Sequence, residues 1–271
     1  MHLSEPVAAS WKARLSLSFA RDENRSVLAR RSHEGPLVVQ KPLYPEGEAV
    51  CHAIVVHPPG GIAGGDELAL DVRAAQASHA LLTTPGAGKW YRSAGPRAQQ
   101  SLRFELEGTL EWLPRETIVF NGAHASFECS VELRNDARYI GWEVLCLGRR
   151  GSGERFDRGE IRLEQRVSRD GRLLWLERGC IEGGSRMMRS SAGLAGRSVC
   201  GTMVAAAAVV NHNYRKEAPA CLAVTLLPGL LIARYLGDSS EEAMRAFASL
   251  WSLLRPALAG RVAIEPRIWR T

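Results

Sequence analysis

Residues 83–90, TTPGAGKW, hold the most suggestive chemistry in the chain: Gly86, Gly88 and Lys89 follow an apolar run that begins at His79. Glycines ahead of a lysine can wrap a nucleotide phosphate, which would make the chain a nucleotide-binding hydrolase. A phosphate-cradling loop needs G-x-x-x-x-G-K-[ST], with an early Gly for the turn and a hydroxyl for magnesium. Position 83 holds Thr83 in place of that Gly, and Trp90 stands where the hydroxyl belongs. A dinucleotide fingerprint fails at Tyr91, where Gly or Ala is required. The segment is expected to be a glycine-rich turn between two strands, initiated by Pro85.

Metal chemistry is the next candidate. Cys51 and His52 are adjacent, His57 follows, and Asp66 closes HPPGGIAGGD (57–66). Imidazole, thiolate and carboxylate all ligate nickel or zinc. No H-x-x-x-H or H-E-x-x-H fixes a tight site, so the scatter suits weak, transient contacts along a polar channel. Nucleophilic chemistry finds less support. Ser152 lies in Gly151-Ser152-Gly153 without a G-x-S-x-G elbow, and Glu241 and Glu242 read as helix N-terminal charges, not a glycosidase pair. Six cysteines without a C-x-x-C pair argue against structural zinc and predict reduced, mostly buried thiols.

The elements that must position these groups are mostly strands. Trp11, Ala13, Leu15, Leu17 and Phe19 alternate with polar residues, as do Leu102, Phe104 and Leu106. Pro58-Pro59 ends a strand over 53–56, and the four glycines that follow permit positive φ or close backbone approach. Asp170-Gly171 marks a hairpin, and the pattern predicts a second around Asn135-Asp136. One helix is expected from Ser239, with Glu242 completing a capping-box pattern. Its apolar stripe is Met244, Phe247, Trp251, Leu254 and Leu258, and Pro256 and Gly260 are expected to disrupt or end it. A weaker helical candidate lies over 203–210. No internal repeat or linker is apparent, so the expectation is one mainly β, multi-stranded domain over 1–271 with a few helices.

The chain has 271 residues, 45% hydrophobic and 24% charged, with a net charge of +6, as befits a soluble globular protein. Its arginines are scattered along the sequence, without the dense block of a nucleic-acid arm, so an acidic protein partner or a solvated basic surface fits better than DNA. The N-terminus lacks a basic segment followed by an apolar one, and no run reaches membrane-spanning length. A cytoplasmic protein with no membrane and no nucleic-acid partner is expected.

Read together, HPPGGIAGGD (57–66), LLTTPGAGKWYRS (81–93), LEWLPRETIVFNGA (110–123), RYLGDSSEEA (234–243) and PRIW (266–269) resemble the urease accessory protein D family. The match runs in order over most of the chain. One departure is Gly88, where the family often has threonine. The resemblance implies a β-rich, non-enzymatic chaperone with no permanently bound cofactor. It would bind the urease apoprotein, recruit accessory protein F and through it the GTPase accessory protein G, and support nickel insertion. The helix from 239 is the expected contact for protein F. The resemblance also implies an internal tunnel carrying nickel in transit, whose candidate lining by motif position is His57, Asp66, Thr83, Thr84, Tyr91, Ser93 and Glu116, with Glu143 and Glu177 as strand-borne acids.

Overall fold

The structure is a computed structural model that describes residues 10–207 and 214–270. In chain order the strands are β1 (Lys12–Asp22), β2 (Arg25–Glu34), β3 (Val38–Val39), β4 (Cys51–Val56), β5 (Glu67–Ala74), β6 (His79–Thr83), β7 (Gly88–Trp90), β8 (Ala98–Leu106) and β9 (Thr109–Leu113). They continue as β10 (Thr117–Val119), β11 (His124–Leu133), β12 (Arg138–Leu147), β13 (Glu160–Arg169), β14 (Arg172–Glu182), β15 (Val199–Ala206), β16 (Leu222–Leu227) and β17 (Leu230–Gly237). The helices are α1 (Arg186–Arg189), α2 (Tyr214–Glu217) and α3 (Ser240–Ala259).

The strands form two sheets, one of seven strands ordered β14-β13-β11-β8-β5-β1-β2 and one of ten built around β16-β17-β15-β12-β9-β6-β4-β3. From β4 to β13 the main path alternates between them. Strands β4, β6, β9 and β12 pair in parallel in one sheet, and β5, β8, β11 and β13 in the other. Parallel neighbours need a crossover, commonly a helix; here the return leg is a strand of the opposite sheet. The turns at one end of these coils stack through backbone bonds, Thr109 N to Ser78 O at 2.9 Å and Arg138 N to Gly108 O at 3.0 Å. At Gly108 a Cβ would stand 2.4 Å from the carbonyls of Ala75 and Ser78, so only glycine fits there.

This winding explains why the expected second hairpin does not form. β11 and β12 flank Asn135-Asp136, and Asn135 takes a left-handed φ of 51°, yet the two strands belong to different sheets. β12 is buried on both faces, as a central strand between two apolar layers must be. The hairpin at Asp170-Gly171 does form, with β13 and β14 antiparallel and φ of 51° and 76° at the turn, the signature of a type I′ turn.

One core fills the space between the sheets, and a second lies between the ten-stranded sheet and α3. Strand alternation assigns each residue to a layer. Ala80 and Leu82 face the first core and Leu81 the second; Tyr139 and Leu145 face the first, Ile140, Trp142 and Val144 the second. On α3 the whole expected stripe is buried. Ser239 Oγ accepts from Glu242 N at 3.1 Å, but the Glu242 carboxylate accepts from the Tyr235 hydroxyl at 2.6 Å and does not close the box onto Ser239. Pro256 does not end the helix, which runs to Ala259 and stops at Gly260 in the left-handed region.

Three further expectations are corrected. Residues 199–206 are strand β15, not helix, because they pair with both β12 and β17; Ala208–Val210 lie outside the described residues, as does most of the N-terminal segment read for a secretory signal. Trp11 precedes β1 and is 55% exposed. The cysteines are free, but only Cys51 is fully buried; Cys129, Cys146 and Cys200 are partly so, and Cys180 and Cys221 are exposed. No described helix is long and apolar enough to cross a membrane.

Candidate functional site

The inward faces of the two sheets are apolar at the β1–β5 side and polar toward β13 and β17. Cross-strand register makes this explicit. In the seven-stranded sheet Leu70, Leu102, Cys129, Gln165 and Glu177 stand in one row, passing from aliphatic to acidic. In the ten-stranded sheet Glu143, Thr202 and Arg234 form a row on the inward face. Arg234 Nη1 donates to Glu177 Oε1 at 2.6 Å, tying one row to the other across the gap.

Two cavities occupy this space. One, of about 390 Å³, is lined by His57, Gly60, Gly61, Thr84–Trp90 and Arg115, and reaches inward to Tyr139. The other, of about 460 Å³, is lined by Glu164, Glu177, Cys200, Thr202 and Arg234. They share Gln100, Leu102, Cys129, Glu143 and Gln165 as a common wall. Exposed residues line both far ends: Pro85, Gly86 and Lys89 at the first, Arg234 and Leu236 at the second.

Glu143 is the carboxyl at the meeting point, with no hydrogen bond or ion pair among the described residues. Burial alone pushes its pKa from 4.5 up to about 7. Burial likewise pushes the Cys129 and Cys200 thiols up to about 12, with the Glu143 charge adding to it, and the Tyr139 hydroxyl well above its usual value. The thiols therefore stay protonated, and it is the thiolate that binds metal. A cation here meets amides, hydroxyls, neutral thiols and one carboxyl that ionises near neutrality. Among the described residues no three His, Cys, Asp or Glu side chains gather to hold a metal.

The raised Glu143 pKa has a consequence for stability. The folded state binds more protons than the unfolded chain between pH 4.5 and about 7, so stability should fall as pH rises through that window and level off above it. Denaturant unfolding at a series of pH values should show this slope in the wild type and a flatter one in Glu143→Gln. Equal slopes would mean that Glu143 is ionised without penalty.

Of the nine residues nominated from sequence, four line these cavities. His57 is on the wall of the first, with Nε2 enclosed and without a hydrogen-bond partner in the described structure. Burial lowers its pKa, with the Asp66 charge opposing. Thr84 is on the same wall and accepts from Arg115 N at 2.9 Å. Glu143 belongs to both cavities and Glu177 to the second.

The other five have structural partners elsewhere. Asp66 accepts from Trp11 N and Ala63 N, both at 2.8 Å. Thr83 follows Leu81 on the α3 side of its sheet, where it donates to Leu113 O at 2.6 Å and accepts from Trp269 Nε1 at 2.8 Å. Tyr91 packs edge-on against Phe120 and fills the space above Gly61, where a Cβ would come within 2.0 Å of its ring. Ser93 donates to Pro96 O and packs against Gly64. Glu116 lies 3.6 Å from Arg115 Nε with its Oε2 enclosed. Gly61 and Gly64 thus serve close packing, and Gly60 and Gly65 take positive φ of 72° and 94°. Ile62 N donates to Lys89 O and Ile62 O accepts from Tyr91 N, each at 2.8 Å, which locks this loop to the 81–93 segment. Residues 84–87 lead into strand β7 and not into a helix N-terminus, the element that holds phosphate in nucleotide-binding loops.

Sequence reasoning missed Gln100, Cys129, Gln165, Thr202 and Arg234. Their signal was present as polar residues on the apolar phase of a strand: Gln100 in phase with Leu102 and Phe104, Gln165 with Leu163 and Val167, Cys129 with Phe127 and Val131.

Comparison with known proteins places this geometry in context. The family described as UreD urease accessory protein matches residues 12–270. Curated proteins named urease accessory protein UreD are similar over nearly their whole length. The one from Dechloromonas aromatica is 54% identical, covering 99% of this chain and 98% of its own. The one from Azoarcus sp. strain BH72 is 52% identical over 100% and 97%, and the one from Pseudomonas aeruginosa is 49% identical over 97% and 96%.

Proposed function

This chain belongs to the UreD urease accessory protein family, and on that premise we propose that it acts in urease maturation as a non-enzymatic scaffold with a nickel path between its two sheets. The observation that carries the reading is the pair of cavities meeting at Glu143. Nickel is cargo here, not a resident cofactor. Replaceable contacts favour passage, because tight ligands would trap the ion. The inward walls fit that need with neutral donors and protonated thiols, and Glu143 offers charge when its proton passes to water in the cavity as a cation arrives. The His57 nitrogen is a neutral donor at one end, and the Glu177 carboxylate is the acid at the other.

The partners of this reading are the urease apoprotein, accessory protein F and, through it, the GTPase accessory protein G. The buried face of α3 is used inside the fold, which leaves Glu241, Arg245, Ser249 and Ser252 as the exposed strip for protein F. The chain should copurify with urease and protein F, and its deletion should leave urease nickel-poor. Urease that stays fully loaded without it would refute the assignment.

Arg234 is a cation at the mouth of a cation path, held back by Glu177. Arg234→Met removes the repulsion and leaves the carboxylate, so the initial rate of urease activation should rise severalfold. Glu177→Gln frees the guanidinium and should lower it. A rate unchanged in both variants would exclude this mouth from the route.

A further inference from the structure

The positive charge that looks scattered in sequence is gathered by the fold. Two clefts share Glu154 as a wall. One, of about 380 Å³, carries Arg92, Arg149 and Arg158; the other, of about 260 Å³, carries Arg150, Arg155, Arg189 and Arg197. Their acids are Glu154, Asp157 and Asp238, so seven arginines face three carboxylates in a chain of net charge +6. Arg149 pairs with Glu154 at 2.6 Å, and Arg150 and Arg197 share Asp238 at 2.5 and 2.7 Å. Arg92, Arg155, Arg158 and Arg189 are exposed and make no ion pair among the described residues.

The backbone beneath them is fixed. Asn121 Oδ1 accepts from Asp157 N at 3.0 Å and Arg158 N at 2.9 Å. Asn121 N donates to Glu154 Oε1 at 3.0 Å, and Gly122 N to Arg158 O at 2.8 Å. The Arg149 guanidinium lies 4.4 Å over the Phe120 ring. We propose that these joined clefts dock an extended acidic segment, rich in Asp and Glu, of a partner protein.

Three features select that occupant. Guanidinium forks match carboxylates two bonds at a time. The track spans both clefts and offers four unpaired arginines, more than one small anion uses. Single-stranded nucleic acid binds by stacking bases on open aromatic faces, and the Phe120 face is already taken by Arg149. This docking is independent of the path between the sheets.

The test uses the full chain and a fluorescently labelled peptide of alternating Glu and Gly, followed by anisotropy. Arg155→Glu/Arg158→Glu should weaken binding at least about tenfold, and so should Arg92→Glu/Arg189→Glu, which changes different elements. Arg103→Glu, an exposed site on the outer face of β8, should leave affinity within about twofold, since charges there lie beyond the screening length at physiological salt. Thermal melting verifies that each variant is folded, and either double variant suffices if the other is not. Absence of peptide binding, equal loss in Arg103→Glu, RNA binding as tight as the peptide, or displacement of the peptide by an equal concentration of inorganic phosphate would each overturn the proposal.

Discussion

Arg255→Met is expected to cost about 3–5 kcal/mol of stability, the usual penalty for breaking a buried ion pair from one side. Arg255 is fully enclosed on α3, in the second core. Its two terminal nitrogens donate to the Glu46 carboxylate at 2.6 and 2.7 Å, and Nε lies 3.1 Å from both oxygens of Glu111. Nη1 also donates to Val262 O at 2.7 Å, so one side chain ties α3 to β9, the loop before β4 and the C-terminal segment. Each carboxylate has a histidine besides: His52 on Glu46 and His79 on Glu111, both at 2.5 Å, with Trp251 Nε1 also donating to Glu111.

Without the guanidinium, two buried carboxylates keep only their neutral or imidazole partners. Burial pushes the Glu46 pKa up, but hydrogen bonds from His52 and Arg255 outweigh it and hold it at about 2. Its contribution is therefore present above pH 4.5 and lost as pH falls toward about 2, a slope opposite in sign to that of Glu143. Guanidinium unfolding at neutral pH measures the loss. An Arg255→Met protein within about 1 kcal/mol of wild type would show that the network is balanced by its desolvation cost.

That network illustrates what the sequence hides. Strand phases, the Asp170-Gly171 hairpin and the α3 stripe are local signals, read from periodicity and turn residues, and the structure bears them out. The family motifs also read correctly. The winding was illegible because the coil repeat is a repeat of geometry: the strands share no sequence period, and Asn135-Asp136 serves a change of sheet as readily as a hairpin. Arg255 sat four residues after Trp251 on the apolar stripe, but its partners are 209 and 144 residues away. Five nominated residues lie off the cavity walls because motif membership does not set orientation. Thr83 and Thr84 are adjacent, so alternation sends one to the α3 side and the other to the cavity. Glu143 and Glu177 do line the cavities, because strand position sets which face a side chain takes.

Glu143→Leu is expected to lower nickel delivery at least about tenfold, equivalent to about 1.4 kcal/mol or more on the barrier. The space between the two sheets screens charge less than bulk solvent does, and an opposite charge at close range in such a medium is worth several times its value in solvent. Leucine approximates the volume of glutamate, so the path is not plugged. Glu143→Gln keeps a polar contact without the charge and should fall between. Glu143→Asp should retain most activity. All three changes lie inside the fold, away from the surface offered to partners, so complex formation should survive.

The most direct measurement is the nickel content of urease matured with wild-type or Glu143→Leu chain, read by atomic emission on complexes of verified composition. The path between the sheets predicts a Glu143→Leu chain that still binds urease but leaves it nickel-poor. Urease loaded to the wild-type level by the Glu143→Leu chain would contradict it.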